Sequence, residues 1–146
     1  MNQLHFISGL PRSGSTLLSA ILNQNPDFHA AMSSPVASLM NATLEMTGAG
    51  SEFYSFFDEE KRIRLSKAII DAYYADNTKP IIFDTNRMWT ARLHQLVELH
   101  HDFKVMCLVR DPAWVMDSFE KIYRKNPFNY SKMFSAQTRG TVYSRC

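Results

Sequence analysis

The sequence predicts an α/β domain, a parallel sheet with helices on both faces, and three observations carry that reading. Apolar runs at residues 4–7, 80–84 and 103–109 read as buried strands. Segments with apolar residues at helical spacing stand between them, and strands alternating with helices imply parallel pairing. The first strand passes through a glycine-containing turn directly into a helix. Three strands are few for such a sheet, so the fold is expected to be incomplete at its C-terminal end.

Composition sets the bounds. The 146 residues make one domain, and an apolar fraction of 45% is enough for a real core. A net charge of +2 gives no global signal for nucleic acid. From Lys121 to Cys146 the charged residues are Lys121, Arg124, Lys125, Lys132, Arg139 and Arg145, with no acid among them. That end is either a solvated tail or an anion-facing wall. Cys107 and Cys146 make no disulfide framework, and Cys107, inside an apolar run, is expected to be a buried thiol. No stretch reaches transmembrane length and the N-terminus has no secretory pattern, so the expected location is the cytoplasm.

In chain order, the strand at residues 4–7 leads into a helix with Leu17, Leu18, Ile21 and Leu22 as its apolar positions. Asn25-Pro26-Asp27 breaks the pattern. Pro35 suits the first position of a helix over residues 36–46. Gly48 to Ser51 form a joint, and Phe53, Tyr54, Phe56 and Phe57 then cluster as core or lid packing. Asp58 opens a helix bearing Ile63, Leu65, Ala68, Ile69, Ala72 and Tyr73. A strand at 80–84 ends on Asp84, and a helix runs from about Trp89 to His100. The strand at 103–109, nearly all apolar, reads as covered on both faces. Asp111 is a good N-cap for a helix from Pro112 to about Tyr123, which Asn126-Pro127 ends. Residues 1–127 form the core, and 128–146 an irregular basic segment.

The loop after the first strand carries the chemistry. Gly9 and Gly14 stand five apart and Thr16 follows, which fits G-x-x-x-x-G-K-[ST] except that Ser15 stands in the lysine position. Loop N–H groups and a helix N-terminus still make a phosphate cradle, with Arg12 as its cation. Without the lysine, the ligand is a phosphate-bearing molecule other than an ordinary hydrolysable triphosphate. Ligands of such sheets bind outside the carboxyl ends of the strands, which puts the loop, residues 84–87 and Arg110 on one rim. Arg110 ends a strand and Ser118 lies on the next helix, a pair suited to holding a second phosphate.

With both motifs in place, the chain resembles the sulfotransferases that use 3′-phosphoadenosine 5′-phosphosulfate, and is closest to the tyrosylprotein and bacterial branch. Leu10-Pro11-Arg12-Ser13-Gly14-Ser15-Thr16-Leu17 is similar to the family's 5′-phosphosulfate loop. Val109-Arg110-Asp111-Pro112 with Ser118 is similar to its 3′-phosphate site. The resemblance implies a P-loop-type three-layer αβα fold. It assigns donor binding to Pro11, Arg12, Ser13, Gly14, Ser15, Thr16, Leu17, Arg110 and Ser118. It makes Arg12 a contact of the transferring sulfuryl group and puts Arg87 in the place of a catalytic lysine. Sulfuryl transfer is an in-line displacement that positioned cations and loop amides stabilise. The acceptor is an unidentified hydroxyl or amine. No metal is needed, and a homodimer is an expected assembly.

Two departures bear on the chemistry. The branch's glutamate base falls by counting at Ser33, which leaves Asp84 as the nearest carboxylate able to deprotonate an acceptor. Asp84 reads equally well as a strand-end residue bonding loop N–H groups. The family is also about twice this length, so a truncated member of low activity is one expectation. His94, His100 and His101 lack metal-pair spacing. Two other readings stay open: a nucleotide-binding kinase or triphosphatase, with Asp84 and Thr16 as magnesium ligands, and a non-catalytic fragment of the family.

Overall fold

The computed structural model describes residues 2–100, 102–126 and 128. The expectations for the basic segment 128–146, apart from residue 128, and for Pro127, Cys146 and His101 lie outside the described residues. Among the described residues the sheet has four parallel strands in the order β2-β3-β1-β4: β1 (Gln3–Gly9), β2 (Phe28–Ala30), β3 (Ile81–Thr85) and β4 (Val105–Leu108). Among the described residues five helices accompany it: α1 (Ser15–Leu22), α2 (Val36–Thr47), α3 (Glu59–Tyr73), α4 (Leu93–Leu99) and α5 (Pro112–Lys125). The α/β class with a parallel sheet is as the sequence predicts.

Alternation along the strands builds two cores on opposite faces of the sheet. Phe6 and Ile82 face one side and pack with Val36, Met40, Ile70, Trp89 and Leu96 from the helical layer. Ile7 and Phe83 face the other, against Ala30 and the partly buried Leu18 and Leu22 of α1. Central β1 is bonded on both sides, with Phe6 opposite Asp84 on β3 and Gly9 opposite Leu108 on β4. This registry brings the C-terminal ends of β1, β3 and β4 together at one rim.

Local chemistry starts the helices where expected. Asp58 accepts from the Lys61 amide at 2.7 Å to cap α3, and Asp111 accepts from the Ala113 amide at 2.8 Å to cap α5. Pro35 sits at the N-cap of α2, one residue earlier than predicted.

Four features differ from the sequence reading. A fourth strand, β2, pairs along β3. The helix expected from Trp89 begins as a 3₁₀ turn over Trp89–Arg92 before α4. Cys107 is exposed, because β4 pairs with β1 on one side and has no strand on its other side among the described residues. Lastly, Phe53, Tyr54 and Phe56 lie exposed around a 3₁₀ turn, Tyr54–Phe56, instead of joining the core. There Arg62 stacks 4.8 Å from the Tyr54 ring.

Candidate active site

The loop between β1 and α1 takes a shape that its glycines permit. Gly9 has φ 144°, and a Cβ there would lie 2.6 Å from the Leu108 carbonyl oxygen of β4. Gly14, at φ 112°, is the N-cap of α1 and offers no side-chain cap. Arg12 is left-handed at φ 68° although it is not a glycine. No acidic residue occupies the first turn of α1. The Ser13 hydroxyl is buried with no hydrogen-bond partner. An orphan hydroxyl beside an uncapped helix start is a donor set that fits an anion.

Both arginine motifs meet at this loop. Arg12 Nε donates to Ser118 Oγ at 2.9 Å, and Arg110 Nη1 donates to the Arg12 carbonyl at 2.8 Å. Neither guanidinium forms an ion pair with a carboxylate among the described residues. Asp111, the nearest acid in sequence, is engaged as the α5 cap. The terminal nitrogens of Arg12 are left free to bind an anion.

On the other side of the loop lies a cavity of about 350 Å³. Leu10, Pro11 and Ser15 form its loop wall, Ser33 and Ser34 a second, and Asn86 with the exposed Arg87 a third. Its walls are braced by hydrogen bonds. Ser8 Oγ donates to the Arg87 carbonyl at 3.1 Å and accepts from the Thr90 amide at 3.2 Å. Asn86 Nδ2 donates to the Ser34 carbonyl at 2.9 Å, while the Ser34 amide donates to the Thr85 carbonyl at 3.0 Å. No carboxylate and no imidazole is among the described residues that line the cavity.

Asp84 stands behind this wall and not in it. It is fully buried, and its carboxylate accepts from Ser34 Oγ, Tyr74 Oη and Trp89 Nε1, each at 2.6 Å. Burial first, and then the neighbouring Asp84 charge, push the Tyr74 hydroxyl far above its ordinary range, so it stays a neutral donor. The geometry corrects the expectation that Asp84 reaches an acceptor hydroxyl. The carboxylate faces the core, and its bonds hold Ser34 and Trp89 in place.

Of the residues singled out from sequence, the structure gathers Arg12, Arg110 and Ser118 on one side of the loop. Pro11, Ser15, Arg87 and Ser33 line the cavity on the other. Ser13 and Gly14 form the cradle between them, and Thr16 and Leu17 are exposed on α1. The sequence reading gave no role to Ser8 or Ser34, and placed Asn86 on the rim only as part of residues 84–87. Its one available signal was the polar Ser8 at the end of an otherwise apolar strand.

A family model described as "Sulfotransferase family" matches residues 5–145. A search of curated proteins finds no match for the chain.

Proposed function

The chain belongs to the sulfotransferase family, and from that premise we propose that it moves a sulfuryl group from 3′-phosphoadenosine 5′-phosphosulfate to a hydroxyl or amine. The observation that carries this reading is the cross-link Arg110–Arg12–Ser118, which ties the loop to the segment before α5 and to its second turn while leaving cationic nitrogens open. The loop amides, the Ser13 hydroxyl and the α1 N-terminus take the 5′-phosphosulfate. Arg110 and Ser118 take the 3′-phosphate, and Arg12 stands between the two anions.

The acceptor enters the cavity beside Arg87, in line with the sulfur. The bond from sulfur to the acceptor oxygen or nitrogen forms as the bond from sulfur to the phosphate oxygen breaks. Charge building on the leaving oxygen is met by the loop donors, and charge on the equatorial oxygens by Arg87 and Arg12. Asp84 is a positioning residue that acts through Ser34 and Trp89. The acceptor's proton passes to water, since the described residues that line the cavity offer neither carboxylate nor imidazole.

Titration with adenosine 3′,5′-bisphosphate and with magnesium-ATP tests the donor. Tighter binding of the bisphosphate supports the proposal, and tighter binding of magnesium-ATP ends it. Arg110→Ala should weaken the bisphosphate about 10- to 100-fold and adenosine 5′-monophosphate hardly at all. Equal losses on both nucleotides would contradict the 3′-phosphate assignment.

A further inference from the structure

Two tryptophans occupy opposite environments. Trp89 is fully buried and bonded to Asp84, whereas Trp114, in the first turn of α5, is 65% exposed. An indole left this open contributes little to the fold's own core. Its neighbours are specific. The Arg110 guanidinium lies 5.8 Å from the ring centroid. Ser118 is four residues on, so it shares a face of α5 with Trp114, while Val115 and Phe119 turn to the buried side. Ser118 receives Arg12, and Arg12 receives Arg110. One strip therefore runs from a flat aromatic surface across two guanidinium groups without carboxylate partners to a hydroxyl.

The ligand that matches this strip carries phosphate next to a planar ring. We infer that Trp114 is the stacking platform for the adenine of the nucleotide donor, placed beside the phosphate that Arg110 and Ser118 hold. The inference rests on the proposed donor and adds the recognition of its base. With Arg110 5.8 Å from its centroid and 65% of the residue exposed, the indole keeps open ring surface for a purine. Charge argues for a nucleotide over an uncharged apolar partner, since such a partner would bury two guanidinium groups without compensation.

The two tryptophans make the test spectroscopic. Trp89 is fully buried and Trp114 is 65% exposed, so quenching by acrylamide falls mainly on Trp114. Adenosine 3′,5′-bisphosphate should shield the full chain from acrylamide, and inorganic pyrophosphate should not. Trp114→Ala should weaken the bisphosphate about 10- to 100-fold, leave pyrophosphate within about twofold, and Trp114→Phe should restore most of the loss. Bisphosphate that binds wild type and Trp114→Ala equally, with the indole still open, overturns the stacking platform and leaves the donor standing. A cooperatively folded wild type that binds no bisphosphate overturns the donor, and this inference with it. Shielding that grows with protein concentration alone assigns the indole to a contact between two copies and overturns the inference.

Discussion

The two sides of the sheet's active rim are built on different principles. On the β3 side, polar groups are satisfied within the protein: Asp84 by three side chains, Ser34 and Asn86 by each other's segments, Ser8 by the turn after β3. On the β4 side the polar groups are two cations, Arg12 tied by one bond to Ser118 of α5 and Arg110 by one bond to the loop. The apolar support differs as well. Val115 and Phe119 of α5 form a small cluster with Met116 and Tyr123, separate from both cores, and Val109 is 90% exposed. The β3 side is preorganised and shapes a cavity. The β4 side leaves its donors open to solvent and rests on the smaller apolar cluster, so it is expected to be the less stable half.

The largest test of this contrast is Asp84→Ala. Removing the carboxylate leaves a serine hydroxyl, a tyrosine hydroxyl and an indole N–H buried without their acceptor. The expected loss is about 3–5 kcal/mol, a large part of a domain's whole margin. Urea unfolding followed by far-UV circular dichroism measures it. A loss below about 1 kcal/mol would erase the difference between the halves.

Gly9→Ala comes next, because Gly9 is where the halves touch. At φ 144° an alanine is strained, and its Cβ would press on the Leu108 carbonyl at 2.6 Å. A cost of roughly 1–3 kcal/mol is expected, together with faster hydrogen exchange in β4 than in β3. Equal acceleration in both strands would show that β4 is no weaker than β3.

What the sequence makes legible follows the same division. The loop is readable because Gly9, Gly14 and the residues between them are local in the chain. Arg110 and Ser118 are readable from their spacing, but their contacts with Arg12 span 98 and 106 positions, which no local pattern encodes. Asp84 is visible as a strand-end carboxylate. Its partners Ser34, Tyr74 and Trp89 come from three separate segments, so its burial is not visible. The three residues of β2 are too few to show a period, and they form a strand only because β3 runs alongside. Cys107 misleads for the converse reason: an apolar run signals a strand but not its place at the sheet's edge.

Ser118→Ala separates binding from stability more finely. The bond from Arg12 is exposed, so its loss should cost no more than about 1 kcal/mol of stability. Bisphosphate affinity should fall by a larger factor, because Arg12 loses its anchor and the phosphate loses a hydroxyl. Isothermal titration and urea unfolding of one preparation give both values. A stability loss that matches the affinity loss would mean that the bond belongs to the fold and not to the ligand.

The smallest expected effect is a pH dependence at the seam. His5 on β1 is buried, and its Nδ1 accepts from the Lys104 amide just before β4 at 3.2 Å. Burial, with Lys104 adding to it, lowers its pKa below the ordinary 6.5, while Asp102 opposes the shift. The unfolded chain therefore takes up the proton at a higher pH than the folded one. Stability from this group is complete above about pH 6.5 and declines as pH falls below it toward the lowered folded value. The Nδ1 bond needs an unprotonated nitrogen, so acid should loosen the start of β4 before it touches β3. Urea midpoints at pH 8 and pH 5.5 for wild type and His5→Gln measure the coupling. A wild-type decline that the variant matches would move the pH sensitivity away from this seam.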